Sequence, residues 1–173
     1  GISQEEEEKH IVGVTDVVSI GAVNGPEMIV LSGDEEPLQE IANEMEDKEI
    51  FAKFLRVTVP FHSHHMEPLK DELIDSLKDL KPNLASLDLY STVTGRKEDG
   101  SHLLSEYWYQ NVRKPVYFTN ALSAMLDDGF DLFIEIGPHP AFSVGAQELF
   151  SKKYIKESIF PSIKRKEPEK LQF

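Results

Sequence analysis

Cysteine is absent from all 173 residues. That excludes disulfides, thiolate nucleophiles and cysteine-based metal sites, and it fits a cytoplasmic setting. Long apolar runs are absent too: none reaches the roughly 18–20 residues that a bilayer crossing requires. The first ten residues, GISQEEEEKH, are acidic where a secretory leader would be basic and then apolar. Positive charge is scarce, with 18 Lys and Arg against 31 Asp and Glu and a formal net charge of −13. Nucleic acids and anionic membranes both favour a basic face, so neither is expected as a partner. The balance reverses from Lys152 to Phe173, where seven Lys or Arg stand against three Glu, a shift that marks a tail or linker. Missing as well is G-x-S-x-G, the strained strand-to-helix turn that presents a serine nucleophile. Its nearest imitation is Ala141-Phe142-Ser143-Val144-Gly145, which begins with Ala and falls within a predicted helix, so Ser143 reads as a helix residue.

The elements that are present follow one another regularly. QEEEEKH at 4–10 reads as a short exposed helix. Val18 to Val23 and Met28 to Leu31 read as strands joined through the Asn24-Gly25-Pro26 turn, an antiparallel hairpin by pattern. Asp34 suits the N-cap of a helix whose apolar side is Leu38, Ile41, Ala42 and Met45, and Phe51 to Val57 is predicted as a third strand. Helix, strand, strand, helix, strand is most of a βαββαβ ferredoxin-like unit that lacks only its first strand. Beyond it, Pro68 opens a helix with Leu69, Leu73, Ile74, Leu77 and Leu80 on one face, and Pro82 stops it. A strand over Leu87 to Thr94, an aromatic cluster at Tyr107-Trp108-Tyr109, a helix from Phe118 to Leu126 and a buried strand over Leu132 to Ile136 follow. Gly137-Pro138-His139-Pro140 then leads into a last helix. Strands alternating with helices of this length indicate an α/β layer.

The densest chemistry is Val59 to Met66, VPFHSHHM, with three histidines in four residues between a strand-like run and an amphipathic helix. Imidazole titrates near neutrality and needs one well-placed partner to act as a general base. Two other readings stand beside that one: zinc ligation by His62, His64 and His65, and surface histidines without chemistry. Zinc would want further ligands at suitable spacing, and there is no H-x-x-x-H pair or cysteine pair to supply them.

Several segments, in order, resemble the acyltransferase domain of modular polyketide synthases and related fatty-acid synthases. They are VSIGAVNGPEMIVLSGD (18–34), VPFHSHHMEP (59–68), YSTVTG (90–95), EYWYQNVRKPVYF (106–118) and FIEIGPHP (133–140). The resemblance runs from about Gly1 to about Phe150, and SIFPSIKRKE (158–167) is similar to the linker that follows this domain in multidomain synthases. It implies an α/β (α+β) fold, a ferredoxin-like small subdomain inserted into an α/β-hydrolase-like large one. Residues 1–58 would be the small subdomain with its first strand largely missing, 59–150 the C-terminal part of the large subdomain, and 151–173 the basic linker.

The resemblance also assigns roles. His62 matches the family's catalytic histidine, and Asn111 the position whose backbone carbonyl orients that ring, the job an aspartate does in a Ser-His-Asp triad. Val59, Pro60, Phe61 and His62 fill the specificity motif that reads HAFH in malonyl-specific domains and YASH in methylmalonyl-specific ones. Phe61 agrees with malonyl, whereas Val59 and Pro60 depart from both forms. Asn24 is placed on the substrate cleft from the small-subdomain side. The implied activity moves a malonyl-type extender unit from coenzyme A to the phosphopantetheine of an acyl carrier protein through a serine ester. No bound cofactor or metal is expected. The expected partners are the carrier protein, neighbouring ketosynthase and other synthase domains, and the missing N-terminal half of the domain, which carries the serine. The chain alone is expected to be inactive. Two rivals from other classes are a non-catalytic docking module of a megasynthase and a metal-dependent hydrolase built on the HSHH cluster.

Overall fold

The structure, a computed structural model, describes residues 2–156 and 158–163. The basic stretch from 164 to 173 lies outside the described residues, as does Glu157.

The N-terminal helix is α1 (Gln4–His10), held by a capping box in which the Ser3 hydroxyl accepts from the Glu6 amide and the Glu6 carboxylate accepts from the Ser3 amide. The predicted hairpin follows. β1 (Val18–Gly25) pairs antiparallel with β2 (Met28–Gly33) around Pro26-Glu27. Its register slips twice, leaving Gly21 and Asn24 as extra residues on β1, the arrangement of a β-bulge, which bends a strand and re-aims what it carries. α2 (Glu35–Asp47) lays Ile41 and Met45 on the hairpin, where they join Ile11, Val18, Ile20 and Val23 in one buried cluster.

The predicted third strand, Phe51 to Val57, is not formed. β1 pairs with β2 along one edge and bridges to Val116 on the other, and among the described residues no strand lies alongside 51–57. A strand is stable only against a hydrogen-bonding neighbour, which β propensity alone does not provide. The small unit therefore keeps its helix–strand–strand–helix order with a two-stranded sheet.

A short 3-10 helix (His64–Leu69) precedes α3 (Lys70–Ser76), so Pro68 sits inside the 3-10 turn and does not open the α-helix. The strand predicted over Leu87 to Thr94 shrinks to β3 (Leu89–Ser91), paired with β4 (Arg96–Glu98) across a turn in which Gly95 adopts φ +70°. The aromatic cluster lies in α4 (Ser105–Arg113), and α5 (Phe118–Asp127) follows. β5 (Leu132–Glu135) pairs parallel with β6 (Ser158–Pro161), and α6 (Ser143–Lys152) is the crossover between them. Two corrections result. Ser158–Pro161, expected within a linker, is a strand of the fold. β5, expected to be buried, turns Phe133 onto Leu122, Ala146, Leu149 and Phe150 while Leu132 and Ile134 remain exposed. Period-2 alternation puts them on the opposite face of the sheet, and nothing among the described residues covers that face.

α6 also packs against β1. A Cβ on Gly145 would lie 1.8 Å from the Asn24 carbonyl oxygen. Gly145 is thus the residue that lets helix and strand backbones touch, and its place in AFSVG has no connection with a nucleophile elbow.

Candidate active site

The segment from Val112 to Tyr117 ties together four parts of the molecule. α4 ends at Arg113, and Lys114 leaves it in an extended conformation, φ −88° and ψ 161°. Pro115 is the physical reason, since a residue before proline is pushed out of the helical region. The freed chain then pairs with the Gly21 bulge: Val116 donates to the Gly21 carbonyl at 2.9 Å, and Val23 donates to the Val116 carbonyl at 2.8 Å. Tyr117 donates to the Thr92 carbonyl at 2.7 Å, tying in the loop after β3.

His62 is the fourth part. Its backbone N–H donates to the Val112 carbonyl at 2.9 Å, satisfying one of the carbonyls that a helix end leaves free. Its ring Nδ1 lies 2.8 Å from the Lys114 carbonyl. A carbonyl can only accept, so Nδ1 carries the proton and Nε2 presents a lone pair. The imidazole is half-buried, and burial lowers its pKa below the usual histidine value; the Lys114 hydrogen bond opposes that shift in part. The side chain is thus neutral, of fixed tautomer, and oriented by a backbone oxygen. That is the state a general base requires near neutral pH.

The orienting carbonyl belongs to Lys114, not to Asn111 as expected. Asn111 lies within the last turn of α4, whereas the chain turns its carbonyls away from the helix axis only three residues later. The Lys114-Pro115 dipeptide is the signal in the sequence that marks this position.

The turn that carries His62 is itself constrained. His62 adopts φ +64°, a left-handed conformation that costs a side-chain-bearing residue about 1–2 kcal/mol. Ser63 is fully buried and its hydroxyl donates to the Pro60 carbonyl at 2.6 Å. Met66 is buried, and Arg113 holds Glu67 through Nε and Nη2 at 3.1 and 2.8 Å, which lowers the Glu67 carboxyl below the usual range. A Cβ on Gly21 would stand 3.8 Å from that of His62 and 3.2 Å from that of Ser32, so β1 passes close beneath the turn.

Of the other predicted residues, Phe61 stands beside His62 with ring centroids 6.3 Å apart, and Val59 and Phe61 are both exposed. Pro60 is half-buried behind them. Asn24 sits three residues beyond Gly21 at the second bulge, its carbonyl against α6 and its side-chain Oδ1 buried with no hydrogen-bond partner among the described residues. The HSHH cluster does not converge as a set. His62 turns to Lys114, while His64 and His65 turn to Asp34 on the far side of the turn. Ser143 is the first residue of α6, and its amide and hydroxyl both donate to Glu135. Among the described residues, none offers His62 a serine hydroxyl within hydrogen-bond reach.

Comparison with known proteins decides the family. A family model described as "Acyl transferase domain" matches residues 1–173. The chain belongs to this family. As an acyl transferase domain chain it is 38% identical over 147 residues to polyketide synthase GfsA of Streptomyces halstedii, covering 85% of the chain and 2% of that synthase. It is 38% identical over 129 residues to highly-reducing polyketide synthase 1 of Aureobasidium melanogenum, covering 72% of the chain and 6% of that protein. Among solved structures, the acyltransferase domain from module 8 of the salinomycin polyketide synthase superposes with a TM-score of 0.95 at 29% identity, covering 99% of this chain and 41% of that one. The malonyl CoA-acyl carrier protein transacylase from Clostridium perfringens does so with a TM-score of 0.83 at 26% identity, covering 96% and 52%. The mixed α/β fold is therefore that of polyketide synthase acyltransferase domains. The chain spans only a few per cent of the curated synthases and about two-fifths to one-half of these solved chains. No helix among the described residues is long and apolar enough to cross a membrane.

Proposed function

We propose that these residues supply the general base and part of the acyl pocket of a domain that moves a malonyl unit from coenzyme A to the phosphopantetheine thiol of an acyl carrier protein. The observation that carries this reading is the His62 ring, half-buried with Nδ1 on the Lys114 carbonyl. In the proposed cycle Nε2 takes the proton of a serine hydroxyl as its oxygen attacks the malonyl thioester carbon. The C–S bond breaks, and the departing coenzyme A thiolate takes the proton back. The phosphopantetheine thiol then attacks the ester carbon, giving its proton to Nε2, and the serine oxygen leaves and recovers it. The serine belongs to a part of the domain outside these 173 residues, a reading supported by their covering 41% of the salinomycin domain. The chain by itself is then inactive.

The Phe61 ring, 6.3 Å from that of His62, would stand beside the acyl α-carbon and leave no room for an extra methyl. It favours malonyl over methylmalonyl, a discrimination of about 1–3 kcal/mol for one methyl. Val59 and Pro60 shape the same wall. Asn24, whose buried Oδ1 has no partner among the described residues, offers an acceptor to substrate or to the rest of the domain from the small-subdomain side. Carrier proteins are themselves usually acidic, so a body of net charge −13 would repel one. Tethering within one synthase, beside its ketosynthase, supplies an effective concentration of about millimolar and makes docking affinity secondary.

The test is the intact mass of every polypeptide in a natively purified sample exposed to malonyl-CoA and, separately, to methylmalonyl-CoA. The expected result is a malonyl adduct on a serine outside these 173 residues, formed about a hundred- to ten-thousandfold more slowly in His62→Ala and weaker for methylmalonyl. An adduct on this chain, or malonyl transfer at an undiminished rate in His62→Ala, would overturn the reading.

A further inference from the structure

Asp34 occupies the N-cap position of α2 yet makes no side-chain bond to that helix. Its carboxylate is directed elsewhere: Oδ1 lies 2.7 Å from His65 Nε2 and 3.2 Å from His64 Nε2, and the two rings are 4.1 Å apart. Two residues earlier on the same corner, the Ser32 hydroxyl donates to the Phe61 carbonyl at 2.6 Å. The left-handed His62 is thus pinned on both sides to one corner of the hairpin, through Phe61 before it and through His64 and His65 after it. Such conformations persist only where the surroundings over-determine them.

We infer that Asp34 is a positioning residue for the acyl-transfer base, holding the His62 turn in register through the paired rings of His64 and His65. The inference rests on the role proposed for His62. The same three groups present donor atoms within 4.8 Å of one another, a spacing that a divalent cation could also use. Two observations favour the clamp. Oδ1 is already at hydrogen-bond distance from His65, and His64 Nδ1 is buried with no partner among the described residues, whereas a metal-bound histidine passes its other N–H to an acceptor.

The experiment uses the acyltransferase domain that contains these residues together with its serine-bearing segment, as wild type, Asp34→Asn, Asp34→Ala and the double variant His64→Gln/His65→Gln. Asp34→Ala is expected to lower kcat for malonyl transfer about ten- to a hundredfold, the cost of a base displaced by roughly an ångström, with KM for malonyl-CoA little changed. Asp34→Asn, which keeps an acceptor oxygen, is expected to recover most of the loss. Adding Asp34→Ala to the double variant should cost nothing more. Nitrogen-15 spectra of the His62 ring should change from a single Nδ1–H tautomer to a mixture in Asp34→Ala.

A fall in Tm with kcat and the His62 signals both unchanged would overturn the inference. So would stoichiometric Zn²⁺ binding whose removal by chelator reproduces the Asp34→Ala loss, since the cluster would then be a cation site. Altered His62 signals in a domain whose wild type transfers no malonyl would instead refute the proposed function and leave the clamp standing. A wild type that transfers malonyl, with Asp34→Ala matching it in kcat and spectrum, would refute the clamp alone.

Discussion

Residue scale. Burial and a single backbone acceptor act on His62 in opposite directions, and burial dominates. The consequence for pH has a definite sign. The folded pKa lies below the ordinary histidine value of 6.5, so the ring stays neutral to lower pH than a free histidine does. The acidic limb of the pH–kcat/KM profile for malonyl transfer is therefore expected below that value, and replacing His62 with Ala should reduce the rate by about a hundred- to ten-thousandfold. A limb at or above 6.5 would mean that another group titrates. Stability carries the linked effect: the unfolded chain protonates His62 first, so this residue's contribution falls as pH drops through the unfolded value towards the folded one. The half-buried histidine itself was legible in VPFHSHHM. Its acceptor was taken to be Asn111 because resemblance aligns sequence positions, whereas the hydrogen bond depends on where the helix ends. That end is written in Lys114-Pro115, a local steric rule requiring no relatives to read.

Element scale. β5 and α6 are joined by a cap that crosses the Gly137-Pro138-His139-Pro140 loop. The Glu135 carboxylate accepts from the amides of Ala141, Phe142 and Ser143 and from the Ser143 hydroxyl. Those amides are the orphan donors of a helix start, and a negative charge there also suits the helix dipole. Burial pushes the Glu135 carboxyl upward, but the Ser143 hydroxyl and the three amides together hold it below the ordinary glutamate value of 4.5. The depressed folded pKa makes the cap's contribution fully present above the usual carboxylate range and lost as pH falls through the folded value. Glu135→Gln is thus expected to lower stability at pH 7 by about 1 kcal/mol. Denaturant titrations at several pH values should show the difference from wild type shrinking below about pH 4.5; a constant difference would show the bonds to be independent of charge. Ser143 was read correctly as a helix residue, but nothing in the sequence pairs it with Glu135, eight positions away across a loop. The hairpin, α2, α5 and α6 were legible because their periodicity is local. The strands predicted at Phe51–Val57 and over the full Leu87–Thr94 were not, because strand formation needs a partner that periodicity cannot supply.

Whole-molecule scale. Large apolar side chains stand open in several places: Phe51 is 79% exposed, Leu84 71%, Leu87 83% and Ile136 88%. Exposed apolar surface on this scale is characteristic of interaction sites. The proposed complement is the serine-bearing part of the acyltransferase domain, consistent with the chain covering about two-fifths to one-half of the solved domains. Against association stands the net charge of −13, which makes copies of the chain repel one another. The two effects respond differently to salt, since repulsion between exposed charges is screened over about 8 Å at physiological ionic strength while apolar contact is not. The isolated chain is therefore expected to remain dispersed at low salt and to self-associate as salt rises, with apolar-dye binding at both. Co-expression with the serine-bearing segment should give a one-to-one complex that binds little dye and no longer self-associates with salt. Sedimentation velocity across a salt series checks both statements. A chain that stays monomeric and dye-negative at high salt would mean that these side chains bury themselves without a partner, and that the domain's two parts need not meet along this surface.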